Sequence, residues 1–180
     1  MQPPAYFIQI AYTWDGIKIP ELETAAITFR IDHSGLHVAI QARFHGDKTP
    51  AALPGPTDRL WEYEVVELFL SGDDDRYLEI EFGPHGHFLV LQLAGIRNVT
   101  KKLLPMAYAT QITGSCWQAT AHLPLSSLPT NPNRINAYAI HGSGKDRRYL
   151  AAFPVPGYKP DFHQPQFFRP IAGLATTTSV

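Results

Sequence analysis

Cysteine is almost missing from this chain: Cys116 is the only one in 180 residues. No internal disulfide can form, so the stapled scaffolds of small secreted domains are excluded, and a reducing compartment suits the sequence. Long apolar runs are missing too. The start, Met1-Gln2-Pro3-Pro4, lacks a basic stretch leading into an apolar one. Neither a signal peptide nor a membrane helix is expected; a cytoplasmic location is. Charge of one sign is also missing: 15 Lys plus Arg stand against 16 Asp plus Glu. That balance leaves no electrostatic footprint for nucleic acid. Helical periodicity is scarce, with a single turn expected at Pro124–Leu128, begun by its proline. Gly-rich phosphate loops, nucleophile elbows and zinc-protease motifs do not occur.

What remains is strand. Sixteen prolines and thirteen glycines cut the chain into short pieces, and alternation runs between them. Ala25, Ile27, Phe29 and Ile31 alternate with polar or small residues, as do Leu36, Val38, Ile40, Ala42 and Phe44. The turn His33-Ser34-Gly35 makes residues 24–45 a hairpin. Strands follow at 61–70 (WEYEVVELFL), 77–82 and 87–93, then near 106–113, 116–123, 134–141 and 148–153. Hydrophobic residues at 44% provide a core. The reading is all-β, a two-sheet antiparallel β-sandwich. One domain covers 1–174, and 175–180 form a frayed tail. Two long loops, 46–60 and 154–170, are candidates for function.

If strand 61–70 alternates without interruption, Trp61, Tyr63, Val65, Glu67 and Phe69 share a face. Glu67 then stands among apolar neighbours and needs a cationic or hydrogen-bonding partner. The next strand offers Tyr77, Glu79 and Glu81, and the third Phe88, Val90 and Gln92. Arg97, Lys101 and Lys102 follow as donors. Segment 159–163 is expected to fold back over the face that carries Trp61, bringing Phe162 and His163. Aromatic rings beside carboxylates and a guanidinium suit a sugar, which has apolar C–H faces and a rim of hydroxyls. The bland reading packs Trp61 and Tyr63 under a loop and pairs Glu67 with an arginine for structural reasons.

Other constellations are weaker. His85 and His87 flank a hairpin turn but fit no metal-ligand template. Asp73-Asp74-Asp75 reads as a solvated turn rather than a calcium loop. Cys116 reads as an inert buried thiol. Glu79 and Glu81 are a carboxylate pair of the type that hydrolyses glycosides, with nothing in sequence to set their separation. No catalytic residue, metal or cofactor is assigned.

The segments Leu60–Glu67, YLEIEFGPHGHFLVLQLAGIRNVTKK, AIHGS, FPVP and KPDFH resemble a largely uncharacterised family of animals and bacteria, known only as an open reading frame. More distantly they are similar to family 9 carbohydrate-binding modules and DOMON-like sandwiches. Trp61, Val66-Glu67, Pro84-His85-Gly86 and the stretch from Trp117 to Leu128 carry that similarity. It implies a sugar clamped by two tryptophans and bonded by a glutamate, with Trp61 as one clamp and Glu67 as the acceptor. No tryptophan follows Trp117, and Phe162 stands nearest to the second clamp. Some DOMON-like domains bind haem through Met and His; here Met106 is the only internal methionine and has no evident pairing.

The expected function is therefore a ligand-binding sandwich for a sugar or glycan end. Its expected site is Trp61, Tyr63, Glu67, Glu79, Arg97, Phe162 and His163. Two alternatives stand: an enzyme acting on a small polar metabolite through Glu67, His163 and Arg97, and an interaction domain without a small ligand. A deep pocket holding Glu67 and a histidine favours the enzyme, a shallow aromatic groove favours binding, and a filled face favours the interaction domain. No membrane partner is expected, and the oligomeric state is left open.

Overall fold

A computed structural model describes residues 3–177. Its strands in chain order are β1 (Ala5–Ile10), β2 (Tyr12–Thr13), β3 (Ala25–Asp32), β4 (Gly35–Arg43) and β5 (Gly55–Pro56). Then come β6 (Val65–Ser71), β7 (Arg76–Phe82), β8 (His87–Ala94), β9 (Val99–Lys102) and β10 (Ala107–Thr113). The last are β11 (Cys116–Pro124), β12 (Arg134–His141), β13 (Arg148–Ala151), β14 (Arg169–Pro170) and β15 (Ala175–Thr177). They form two sheets, one ordered β10-β11-β4-β3-β1-β15 and one ordered β2-β13-β12-β6-β7-β8-β5. In the second sheet β14 also pairs with β12, and β9 with β8. Every pairing is antiparallel except the short one between β5 and β8. The two-sheet sandwich read from alternation is the fold.

Alternation explains the layers. Ile27 and Phe29 of β3, Leu36, Val38 and Ile40 of β4, and Trp117 of β11 point inward from the first sheet. Val66, Leu68 and Leu70 of β6 meet them from the second, with Leu78, Ile80 and Phe82 of β7. The turn before β4 needs its glycine. Gly35 has φ +140°, and a Cβ there would lie 2.0 Å from the Leu123 carbonyl oxygen.

The second sheet is buried on both faces. Its outer face carries its own cluster, including Val65, Phe69, Tyr77, Leu89, Leu91, Leu93, Tyr138 and Ile140. The loop after β13 crosses this face and plugs it with Phe162 and Phe168. Every residue of β6 is therefore buried, which is why the strand reads as a near-continuous apolar run interrupted by Glu67.

Four expectations change. The strand expected to begin at residue 61 begins at Val65, because Leu60–Glu62 form a 3₁₀ turn after Arg59, whose φ is +60°. Leu60 buries itself in the outer cluster, and Arg147 donates to the carbonyls of Trp61 and Glu62 in place of a ladder partner. Phe88 and Val90 face the inner core, and Gln92 donates to the Ser127 carbonyl; Leu89, Leu91 and Leu93 face outward instead. The strand Ala5–Ile10 stands outside the expected set, and it lies between β3 and β15. Ala175–Thr177, expected in the tail, pair with Ala5–Phe7 because the free edge of β1 offers unpaired backbone groups; 178–180 lie outside the described residues.

Candidate functional site

The outer face of the second sheet holds a cavity of about 310 Å³. Six of the seven residues expected from sequence line it: Trp61, Glu67, Glu79, Arg97, Phe162 and His163. Tyr63 does not. The 3₁₀ turn at Leu60–Glu62 breaks the period-two relation, so Tyr63 and Trp61 do not share a face; Tyr63 packs half-buried on the outer cluster. Trp61, 38% exposed, reaches the mouth from that turn rather than from the strand.

The floor is built by β6 and β7. Glu67 lies directly across from Glu81 in the ladder, and Glu79 lies across from Phe69. Period two puts all three carboxylates on the outer face, where Glu67, Glu79 and Glu81 are 2%, 4% and 0% exposed. They offer oxygens that all lie within 4.8 Å of one another. Like charges at opposed ladder positions repel, and burial compounds the cost. Burial first, then the charge on Glu79, pushes Glu67 well above the usual carboxylate range. Burial likewise raises Glu79 to about 7. It raises Glu81 strongly, with Glu67 and Glu79 adding to the effect. Among the described residues no ion pair or hydrogen bond is found for Glu67; the Arg147 charge draws it down, but less than burial and Glu79 push it up.

One wall comes from the loop after β13. Phe162 lies on Tyr138, and the next residue, His163, points its ring toward β7. The Nδ1 of His163 is 2.8 Å from the Tyr77 hydroxyl, and its Nε2 is 3.7 Å from Oε2 of Glu79. Burial, with help from the Arg97 charge, lowers His163 to about 4, so the ring is neutral near pH 7. Tyr77 also accepts the Arg97 backbone N–H. The Arg97 guanidinium donates to Asp161 at 2.7 Å, tying the loop to the end of β8. Leu91, Leu93, Ile140 and Tyr149 complete the apolar lining. Ile140, Tyr149 and Arg147 stand outside the expected site, since no local pattern relates them to residues 61–81; the β12–β6 pairing brings Ile140 opposite Val65.

The other constellations have ordinary partners. His87 bonds the Ala52 carbonyl, and His85 packs edge-on against Phe44. Asp73 accepts from Asn131 and Asn133, while Asp74 pairs with Arg76. Met106 is buried in the inner core.

No protein-family model matches the chain. It is 40% identical over 173 residues to the UPF0462 protein C4orf33 homolog of Mus musculus, covering 91% of this chain and 90% of that one. With the UPF0462 protein C4orf33 of Homo sapiens it shares 41% identity over 170 residues, 89% and 85% of the two chains. Among solved structures, a candidate carbohydrate-binding protein from Bacteroides uniformis superposes with a TM-score of 0.70 at 16% identity, covering 90% of this chain and 83% of that one. A family 9 carbohydrate-binding module from Caldicellulosiruptor kristjanssonii, in complex with cellotriose, gives 0.48 at 15% identity, over 84% and 72% of the two chains.

Proposed function

The chain belongs to the UPF0462 (C4orf33) family, and we propose that this member is a sugar-binding β-sandwich whose outer-face pocket takes a single polar ring. The observation that carries this reading is a half-exposed indole, Trp61, at the mouth of a cavity floored by the carboxylates of Glu67 and Glu79 and flanked by Arg97. An indole offers a face to sugar C–H groups. Carboxylate oxygens accept hydroxyl protons, two from vicinal hydroxyls at once. The cavity, about 310 Å³, is at the small end of ligand pockets, roughly 300–1,000 Å³. That favours one ring or a chain end over an extended polymer. Phe162 is 7% exposed and stacked on Tyr138, so it forms wall rather than a second open clamp.

A second reading has its own support. The site is a pocket rather than a shallow groove, and it holds Glu79, raised to about 7, beside a histidine. A carboxyl poised near neutrality is what acid–base chemistry on a small polar metabolite requires. Against this, the separation of Glu79 from His163 Nε2, 3.7 Å, is beyond hydrogen-bond reach.

Isothermal titration with a panel of mono- and disaccharides, on the wild type and on Glu67→Gln, tests the proposal. Binding by the wild type, weakened in the variant by about 1–3 kcal/mol as for lost charge-assisted bonds, supports it. No heat with any sugar removes it. Turnover of a bound saccharide would shift the assignment to the enzyme.

A further inference from the structure

Three buried carboxylates with no cation in ion-pair contact are an anomaly in a sheet interior; the charges of Arg147 and Arg97 reach Glu67 and Glu79 only as weaker opposing effects. Both oxygens of Glu81 and Oε2 of Glu79 are buried with no hydrogen-bond partner. The nearby guanidinium groups are engaged elsewhere: Arg97 on Asp161, Arg147 on the carbonyls of Trp61, Glu62 and Gly142. Buried charge without a partner is strongly disfavoured, so something must neutralise this cluster. Protons are one answer and a cation is the other.

The geometry favours the cation. Oxygens bound to one divalent ion at about 2.0–2.4 Å can lie no more than about 4–4.8 Å apart. One oxygen from each of Glu67, Glu79 and Glu81 meets that limit. His163 Nε2 is 3.7 Å from Glu79 Oε2 but joins no set of three donors within that limit, so the carboxylates act without it. Oxygen-only ligands suit hard cations, magnesium, calcium or manganese.

We propose that Glu67, Glu79 and Glu81 hold a hard divalent cation of the magnesium–calcium–manganese class at the base of the outer-face pocket, with open coordination positions facing the cavity. Two adjacent strands, β6 and β7, supply the carboxylates, so the ion would fasten one strand to the other. A donor oxygen from a ligand in the cavity can complete the coordination sphere. The cation does not require the sugar reading, because ion binding is measured without any saccharide present.

The test uses the full chain, stripped with chelator and titrated with manganese chloride and with calcium chloride. Calorimetry reads stoichiometry, thermal melts read stabilisation, and electron paramagnetic resonance reads manganese capture. One equivalent bound, with a raised melting temperature, is expected. Glu81→Gln keeps the shape and removes a charge. Without metal it should melt at or above the wild type, and its metal-induced shift should vanish, so loss of binding is not confused with loss of fold. No bound equivalent for either ion overturns the proposal, as does undiminished binding by Glu81→Gln. An infrared band of a protonated buried carboxyl in the metal-treated wild type, absent from Glu81→Gln, would also overturn it, because shared protons would then neutralise the cluster.

Discussion

Phe162 and Tyr138 stack face to face, with ring centroids 3.9 Å apart and planes 8° from parallel. One ring belongs to the centre of the second sheet and the other to the loop that covers it. The Tyr138 hydroxyl also donates to the Phe162 carbonyl at 3.4 Å. This contact seats His163 beside Glu79 and makes the pocket a pocket.

Removing the Phe162 ring should therefore lower stability and open the site together. Phe162→Ala is expected to cost about 3–5 kcal/mol, as for a buried aromatic. Deleting residues 159–168 should cost more, because Phe168 is fully buried in the same cluster. Urea denaturation of both variants measures this. An unchanged midpoint in either would mean that the loop is not docked as described.

Trp61 and Trp117 should behave in opposite ways. Trp117 is 1% exposed in the inner core and Trp61 is 38% exposed at the pocket mouth. Trp117→Ala is expected to cost about 3–5 kcal/mol. Trp61→Ala should cost no more than about 1 kcal/mol, while removing saccharide binding. Melts beside calorimetry separate the two. A heavy stability loss at Trp61 would return it to a packing role.

Arg147 should position Trp61 without entering the site. Its guanidinium donates to the carbonyls of Trp61, Glu62 and Gly142, holding the 3₁₀ turn against the end of β12. Arg147→Met is expected to lose about 1–3 kcal/mol of stability and to weaken saccharide binding. Arg147→Lys should restore only part of both, since one ammonium cannot fork to three carbonyls. Binding and urea curves for the pair of variants decide it.

Acid should weaken the fold through His141. The rings of His45 and His141 stack at 3.6 Å, and Nε2 of His141 is buried without a partner. Burial, then the charge on His45, lowers His141 from 6.5 to about 4. The unfolded chain therefore takes up a proton in that window that the folded chain refuses, and stability falls as pH drops through it. Below about pH 4 both states carry the proton, so this site adds no further pH dependence there. Urea midpoints at about pH 7.5 and about pH 5 should differ in the wild type and differ less in His141→Phe, which keeps a stacking ring but cannot be charged. An equal difference in both proteins would clear His141 of the effect.

Much of the fold was legible in the chain because period two survives wherever one sheet face meets the core. Ile27, Phe29, Leu36, Val38 and Ile40 alternate, and they face inward as read. The strand β1 was missed although AYFIQI is rich in aromatic and branched residues; its polar partners are too few to show alternation. The start of β6 was misplaced because WEYEV has strand composition, yet Leu60 is more stable buried as a turn anchor. Propensity yields to tertiary burial at such points.

The sequence by itself determined the two layers, the placement of Glu67 and Glu79 on one face, and the presence of aromatic residues able to flank them. Alternation sets which side of a sheet a residue faces, and that is local information. Only the tertiary structure decided that β6 and β7 bring ligand oxygens of Glu67, Glu79 and Glu81 within 4.8 Å of one another, and that a loop some eighty residues further along the chain carries His163 beside Glu79. Strand register and loop docking are settled by packing between residues far apart in the chain, and no local pattern records that packing.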